Sequence, residues 1–166
     1  EFRIKIKSNR NNNKSINQLR KQRRTRRAQP QPTFTCAFFD SMKNSYINQK
    51  PANVKAAQGH TPNNKTTSAW NFKTNAAGVG GVRATLDDMV SYVQAQLGKT
   101  ESSISPALKI TQQKVKTDTN TNMAMNWMLA PLDAHFVHLH EGGTGGFSAF
   151  TAFDLEKQRG VVILSD

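Results

Sequence analysis

The sequence has a single cysteine, Cys36, so no internal disulfide can form and the redox compartment is left open. It has no apolar run long enough to span a bilayer, and no stretch of signal-peptide character follows its early charges. Acidic residues are scarce, 11 Asp and Glu against 23 Lys and Arg. Histidines number four, and although His138 and His140 would share one face of a strand, no carboxylate spacing completes a ligand set. Neither a metal nor a cofactor is therefore expected.

The positive charge is unevenly placed. Eleven basic residues precede Ala28, with Glu1 the one acidic residue there, so nearly all of the net charge of +12 belongs to that segment. Residues 1–33 are rich in Arg, Lys, Asn and Gln and cannot bury enough apolar surface to offset the entropy of ordering. They are expected to be a disordered basic tail or a stretch not native to the domain that follows. A basic arm can bind phosphates by releasing their counterions. No aromatic is interleaved with its charges after Phe2 until Phe34, and neither a helix-turn-helix nor a zinc spacing accompanies it, so a nucleic-acid partner is disfavoured. Residues 34–166 are close to electrically neutral and form the expected globular domain.

Within that domain, residues 49–73 favour loops and turns, with Trp70 and Phe72 as expected anchors. Ala76–Gly81 is a small-residue stretch suited to close backbone packing. Thr85 and Asp88 make a capping-box-like start to a helix whose apolar stripe is Leu86, Met89, Val90, Val93 and Leu97, stopped at Gly98. Ser105 as N-cap and Pro106 at the first helical position open a second helix carrying Leu108 and Ile110. Residues 114–122 read as a loop, and Met123–Leu129 as a strand with Trp127 buried.

The run of greatest interest is HEGGTGGF, His140 to Phe147. Polar and apolar residues alternate from His135 to Leu139, and Phe147, Ala149, Thr151 and Phe153 would line one face of a following strand. A third strand, Val161–Leu164, follows a charged turn. The pattern is an antiparallel meander whose first bend is glycine-rich, where backbone can approach a ligand closely.

HEGGTGGFSAF, the DLEKQRG turn and GVVILS together resemble the third motif of penicillin-binding-protein-like serine hydrolases, with class C β-lactamases the nearest well-known members. Upstream, KNSYIN, AQGH, AAGVGGVRATLDDM and MNWML fall in the order that this superfamily shows, so the resemblance covers the chain from near Phe39. It implies an α+β fold of the β-lactamase and transpeptidase type, with helices packed on an antiparallel sheet. It also implies an amide or ester substrate (a β-lactam, peptide or ester) attacked through an acyl-enzyme, and a periplasmic or secreted setting. His140, Glu141 and Gly142 occupy the positions of the family's Lys-Thr-Gly or His-x-Gly triplet. By resemblance the N–H of Gly143 is an oxyanion donor, His140 orients the substrate's polar end, and Glu141, Gly142 and Thr144 line the substrate. Histidine in place of lysine leaves esterase, amidase and aminopeptidase activities open beside β-lactam hydrolysis.

The family's nucleophile lies in Ser-x-x-Lys, whose lysine shares a helix face with the serine. No serine here has a lysine three residues on. Thr111 and Lys114 fit the spacing, but the resemblance places no nucleophile there. Tyr46, Ile47 and Asn48 match the family's Tyr-x-Asn literally, yet lie too close to the AQGH segment to be that motif. The expectation is a domain truncated at both ends, inactive alone, with an uncovered VVILS face that invites aggregation. The alternatives are a binding module that keeps the fold without the chemistry, or a basic-tail nucleic-acid binder.

Overall fold

The computed structural model describes residues 41–115 and 121–166. The basic segment and Cys36 lie outside the described residues. The first described elements are three two-residue strands, β1 (Tyr46–Ile47), β2 (Gly59–His60) and β3 (Thr66–Thr67), followed by a 3-10 turn (Thr74–Val79) and β4 (Val82–Arg83). Helices α1 (Leu86–Gln96) and α2 (Ser105–Thr111) come next. The sheet-forming strands are β5 (Lys114–Val115), β6 (Met123–Ala124), β7 (Met128–Leu132), β8 (His135–Thr144), β9 (Phe147–Asp154) and β10 (Arg159–Ser165).

Strands β10-β9-β8-β7-β6-β5 form one six-stranded sheet in which each strand is antiparallel to its neighbour in sequence, while β1 pairs with β4 and β2 with β3. The fold is α+β, a meander backed by helices. Short turns make the meander possible, since consecutive antiparallel strands need only a few linking residues.

Helix α1 begins where the sequence places it. Thr85 takes extended backbone angles and its hydroxyl accepts the N–H of Asp88 at 3.2 Å, satisfying one of the helix's free amide donors. The helix buries Val93, with Leu97 just beyond it, against Ala124, Trp127, Leu129 and Phe153, and Tyr92, Leu155 and Val162 close the edges of this core. A Cβ on Gly160 would collide with Val93 Cγ1, so α1 rests directly on the start of β10.

Several sequence expectations are corrected. The stripe on α1 is rotated, since Leu86 and Val90 are exposed while Asp88 and Gln96 are buried. Asp88 is accommodated because its carboxylate accepts the backbone N–H of Asn44 at 3.0 Å and the hydroxyl of Ser45 at 2.8 Å. Helix α2 has Ile104 rather than Ser105 at its N-cap, and the Ser105 hydroxyl accepts the N–H of Ser102 instead. Met123–Leu129 is two strands, not one, broken at Asn126, whose φ of 64° is left-handed. Lys114–Val115 is a strand and not loop. Trp70 is 59% exposed and anchors little, whereas Phe72 is half-buried.

Candidate active site

The motif occupies the second half of β8 and the bend into β9. Within β8, His138 and Leu139 are paired on both sides, because β7 pairs from His135 to Leu139 and β9 from His138 onward. From His140 to Thr144 the strand pairs with β9 alone, His140 with Thr151 and Gly143 with Ser148. Among the described residues its other edge is open. Such an edge presents unpaired backbone N–H and C=O groups in a row, which is what a substrate carbonyl needs from an oxyanion site.

Strand alternation divides the predicted site residues between two faces. His140, Gly142 and Thr144 share the helix-bearing face with His138, while Glu141 and Gly143 lie on the opposite one. His140, Glu141, Gly142 and Gly143 are exposed and Thr144 is half-buried. The His140 ring stands perpendicular to the indole of Trp127, centroids 6.4 Å apart. A Cβ on Gly80 would lie 3.2 Å from Thr144 Cγ2, so the segment after the 3-10 turn borders the motif at Thr144.

The bend itself turns at Gly145 and Gly146, with φ of 46° and 86°, a region where L side chains are strained. The loop between β1 and the 3-10 turn is seated against it. His60 donates its backbone N–H to the Gly146 carbonyl at 3.2 Å, and a Cβ on Gly145 would stand 2.8 Å from Trp70 N. Beside the bend a cleft of about 420 Å³ is lined by Gln58, Thr66, Thr67, Ser68 and Phe147. Gln58, on the cleft lining, donates its Nε2 to the Thr67 carbonyl at 2.8 Å and to that of its neighbour Gly59 at 3.1 Å.

Other predicted residues fall elsewhere. Thr111 donates its hydroxyl to the Leu108 carbonyl at 2.7 Å, while Lys114 Nζ donates to Asn122 Oδ1 at 2.6 Å and lies over the Phe136 ring. The two do not form a nucleophile and base. Tyr46 is buried in β1, with the Arg83 guanidinium 5.7 Å from its ring centre. His138 is buried, stacked on Phe153 at 4.9 Å, with Nε2 2.9 Å from the Gln112 carbonyl. A carbonyl can only accept, so Nε2 carries the proton. Among the described residues no group of three His, Cys, Asp or Glu side chains could hold a metal, and no helix is long and apolar enough to cross a membrane.

A second polar cluster lies at the far end of β8. His135 Nε2 is 3.1 Å from Asp154 Oδ1, and His135 Nδ1 is 3.5 Å from Glu156 Oε2. Asp154 Oδ1 also accepts the backbone N–H of Lys157 at 2.9 Å and of Glu156 at 3.1 Å. The Lys157 amide does most to hold the Asp154 carboxyl below the usual carboxylate range, burial opposes it, and His135 adds to the lowering.

The profile of the family described as Beta-lactamase matches residues 37–166. The chain belongs to the β-lactamase family. Solved structures share its fold. A class C β-lactamase superposes with a TM-score of 0.66 at 21% identity, covering 74% of this chain and 42% of that one. A β-lactamase/D-alanine carboxypeptidase from Pseudomonas syringae gives 0.65 at 21%, covering 75% and 44%. A D-alanine carboxypeptidase from Burkholderia cenocepacia gives 0.63 at 25%, covering 74% and 45%. The chain thus spans less than half the length of these β-lactamase-fold proteins. No curated relative matches it by sequence.

The motif strand of this β-lactamase-family chain and the burial of Trp127 were legible in the sequence, but the ring contact of Trp127 with His140, the seat at Gly59 and the pair of His135 and Asp154 were not. Gly59 is one glycine in a polar loop, and its contact with the bend is made across more than 80 positions of chain. Nothing local signals it.

Proposed function

We propose that residues 34–166 form one wall of the acyl-transfer site of a β-lactamase-like serine hydrolase, with residues 1–33 a separate basic tail. The serine nucleophile and its general base would come from a segment outside residues 1–166, since no Ser-x-x-Lys is present. The observation that carries this reading is the open edge of β8 at His140–Thr144 beside a glycine bend, in a chain of the β-lactamase family.

In this reading the substrate is a small molecule or peptide carrying an amide or ester carbonyl. Its carbonyl oxygen approaches the strand edge, and the N–H of Gly143 shares the negative charge that develops as the serine attacks. A Cβ placed on Gly142 would meet nothing within 4 Å, which leaves room for the substrate on the face that carries His140. His140 and Thr144, on that same face, orient the substrate's polar end, while Glu141 on the opposite face borders the entrance. No step calls for a metal or cofactor. D-Alanyl peptides and β-lactams, the substrates that the names of its structural neighbours imply for those proteins, are the first classes to assay, with simple esters third. Catalysis of this kind suits a periplasmic or secreted enzyme.

The test begins with the chain itself. Incubation with a fluorescent penicillin and with a fluorophosphonate is expected to leave no covalent adduct by intact mass. A stoichiometric adduct on residues 1–166 would show that the nucleophile lies within them and overturn the reading.

A further inference from the structure

His140 is exposed, and an exposed side chain on a strand ordinarily samples several rotamers. A histidine that is to orient a substrate has to be held in one of them, because misplacement at the reacting centre is costly in rate. The ring contact that the described residues offer is Trp127, at 6.4 Å and 90°, inside the range of edge-to-face aromatic pairs.

Trp127 is itself immobilised. It is 7% exposed, meets Phe153 edge-on at 4.9 Å and 85°, and stacks on Tyr92 at 6.4 Å and 23°. Phe153, 1% exposed, stacks in turn on His138 at 4.9 Å and 8°. The four rings His138, Phe153, Trp127 and His140 form a column that runs from the core to the motif.

A chain of hydrogen bonds braces this column from the helix side. Gln96 Nε2 donates to the Tyr92 hydroxyl at 2.8 Å, Gln112 Nε2 donates to Gln96 Oε1 at 2.7 Å, and His138 Nε2 donates to the Gln112 carbonyl at 2.9 Å. Tyr92 and His138, the two rings that flank the pair of Trp127 and Phe153, are therefore tied to one another through α1 and α2. A braced platform of this kind holds its outermost ring in place at little further entropic cost.

We propose that Trp127 is the positioning residue of His140, fixing the imidazole's orientation at the open strand edge. The proposal rests on the reading of His140 as a substrate-orienting group, but it concerns ring geometry and can be examined without any reaction. NMR of the isotopically labelled 166-residue chain is expected to show His140 ring protons displaced by the indole ring current, with nuclear Overhauser contacts to Trp127 and one dominant χ1 rotamer. Trp127→Leu should abolish the displacement and the contacts and average the rotamer, while the amide pattern of β8 to β10 persists. Trp127→Phe should recover much of the displacement.

Random-coil ring shifts for His140 in the unsubstituted chain would overturn the proposal, and so would shifts that Trp127→Leu leaves unchanged. Should Trp127→Leu fail to fold, the unsubstituted chain and Trp127→Phe decide the matter: displaced, rotamer-restricted ring signals in both uphold it, and averaged ones in either sink it. An enzyme that proved inactive in acyl transfer would alter none of these signals, so the two readings fail separately.

Discussion

Gly59 and Gly145 meet backbone to backbone: a Cβ on Gly59 would stand 2.6 Å from the Gly145 carbonyl oxygen and 2.8 Å from the Phe147 ring. Neither neighbour is the loose end of a flexible chain. The oxygen belongs to a bend whose φ values already require glycine, and the ring opens β9.

Gly59→Ala is therefore expected to destabilise the fold by about 1–3 kcal/mol, the usual cost of overpacking a close contact. The loop would have to lift away from the bend, breaking the His60 to Gly146 hydrogen bond. A urea midpoint that is unmoved, with unchanged amide shifts at Gly145 and Gly146, would disprove this seating.

At Gly143 the backbone should matter and the side chain should not. A Cβ there would lie 3.4 Å from the Phe147 carbonyl and 3.9 Å from Ser148 Oγ, close to ordinary contact, so Gly143→Ala should fold and leave an acylation rate near that of the parent. Gly143→Pro removes the N–H. In a full-length parent that supplies the serine, it should lower the acylation rate by about two to three orders of magnitude. Equal rates for the alanine and proline variants would remove Gly143 from the oxyanion site.

How far these relations could be read from the sequence depends on how local their causes are. The meander from β8 to β10 and the Thr85-capped start of α1 follow from alternation and capping within a few residues, and both were legible. The apolar stripe read on α1 left out Asp88 and Gln96, whose burial depends on partners distant in sequence, Asn44, Ser45 and Gln112. Met123–Leu129 has the composition of one strand, and only the backbone at Asn126 divides it. The motif could be named from its glycines. The seat that Gly59 provides and the ring column behind His140 could not, since each joins segments that only the folded sheet brings together.

Asp154 should carry part of the acid sensitivity of the fold. Its folded pKa lies below that of an unfolded aspartate, about 3.9, so its stabilisation is fully present above that value and is lost as pH falls through the folded pKa. Asp154→Asn should therefore be less stable than the unsubstituted chain at pH 6 and converge with it toward pH 2. A stability difference that stays constant across that acid range, measured by urea unfolding, would assign the effect to packing and not to the carboxylate.

Tyr92 sets the opposite limb. Burial pushes its phenol above the ordinary value near 10, and the hydrogen bond from Gln96 offsets only part of that. A group whose folded pKa is raised holds its proton more tightly in the folded state. Its contribution is complete below the unfolded pKa and disappears as pH climbs through the folded one. Tyr92→Phe keeps the ring on Trp127 but leaves Gln96 Nε2 without that acceptor, which should cost about 1–3 kcal/mol at neutral pH. Above pH 10 the phenol ionises more readily in the unfolded chain than in the folded one, so the unsubstituted chain loses stability with each further step in pH, whereas the phenylalanine variant lacks that drain. The two stability curves are expected to approach one another between pH 10 and 12. Parallel curves over that interval would mean that Tyr92 ionises as freely in the folded chain as in the unfolded one, and that the ring column behind His140 is open to water at its base.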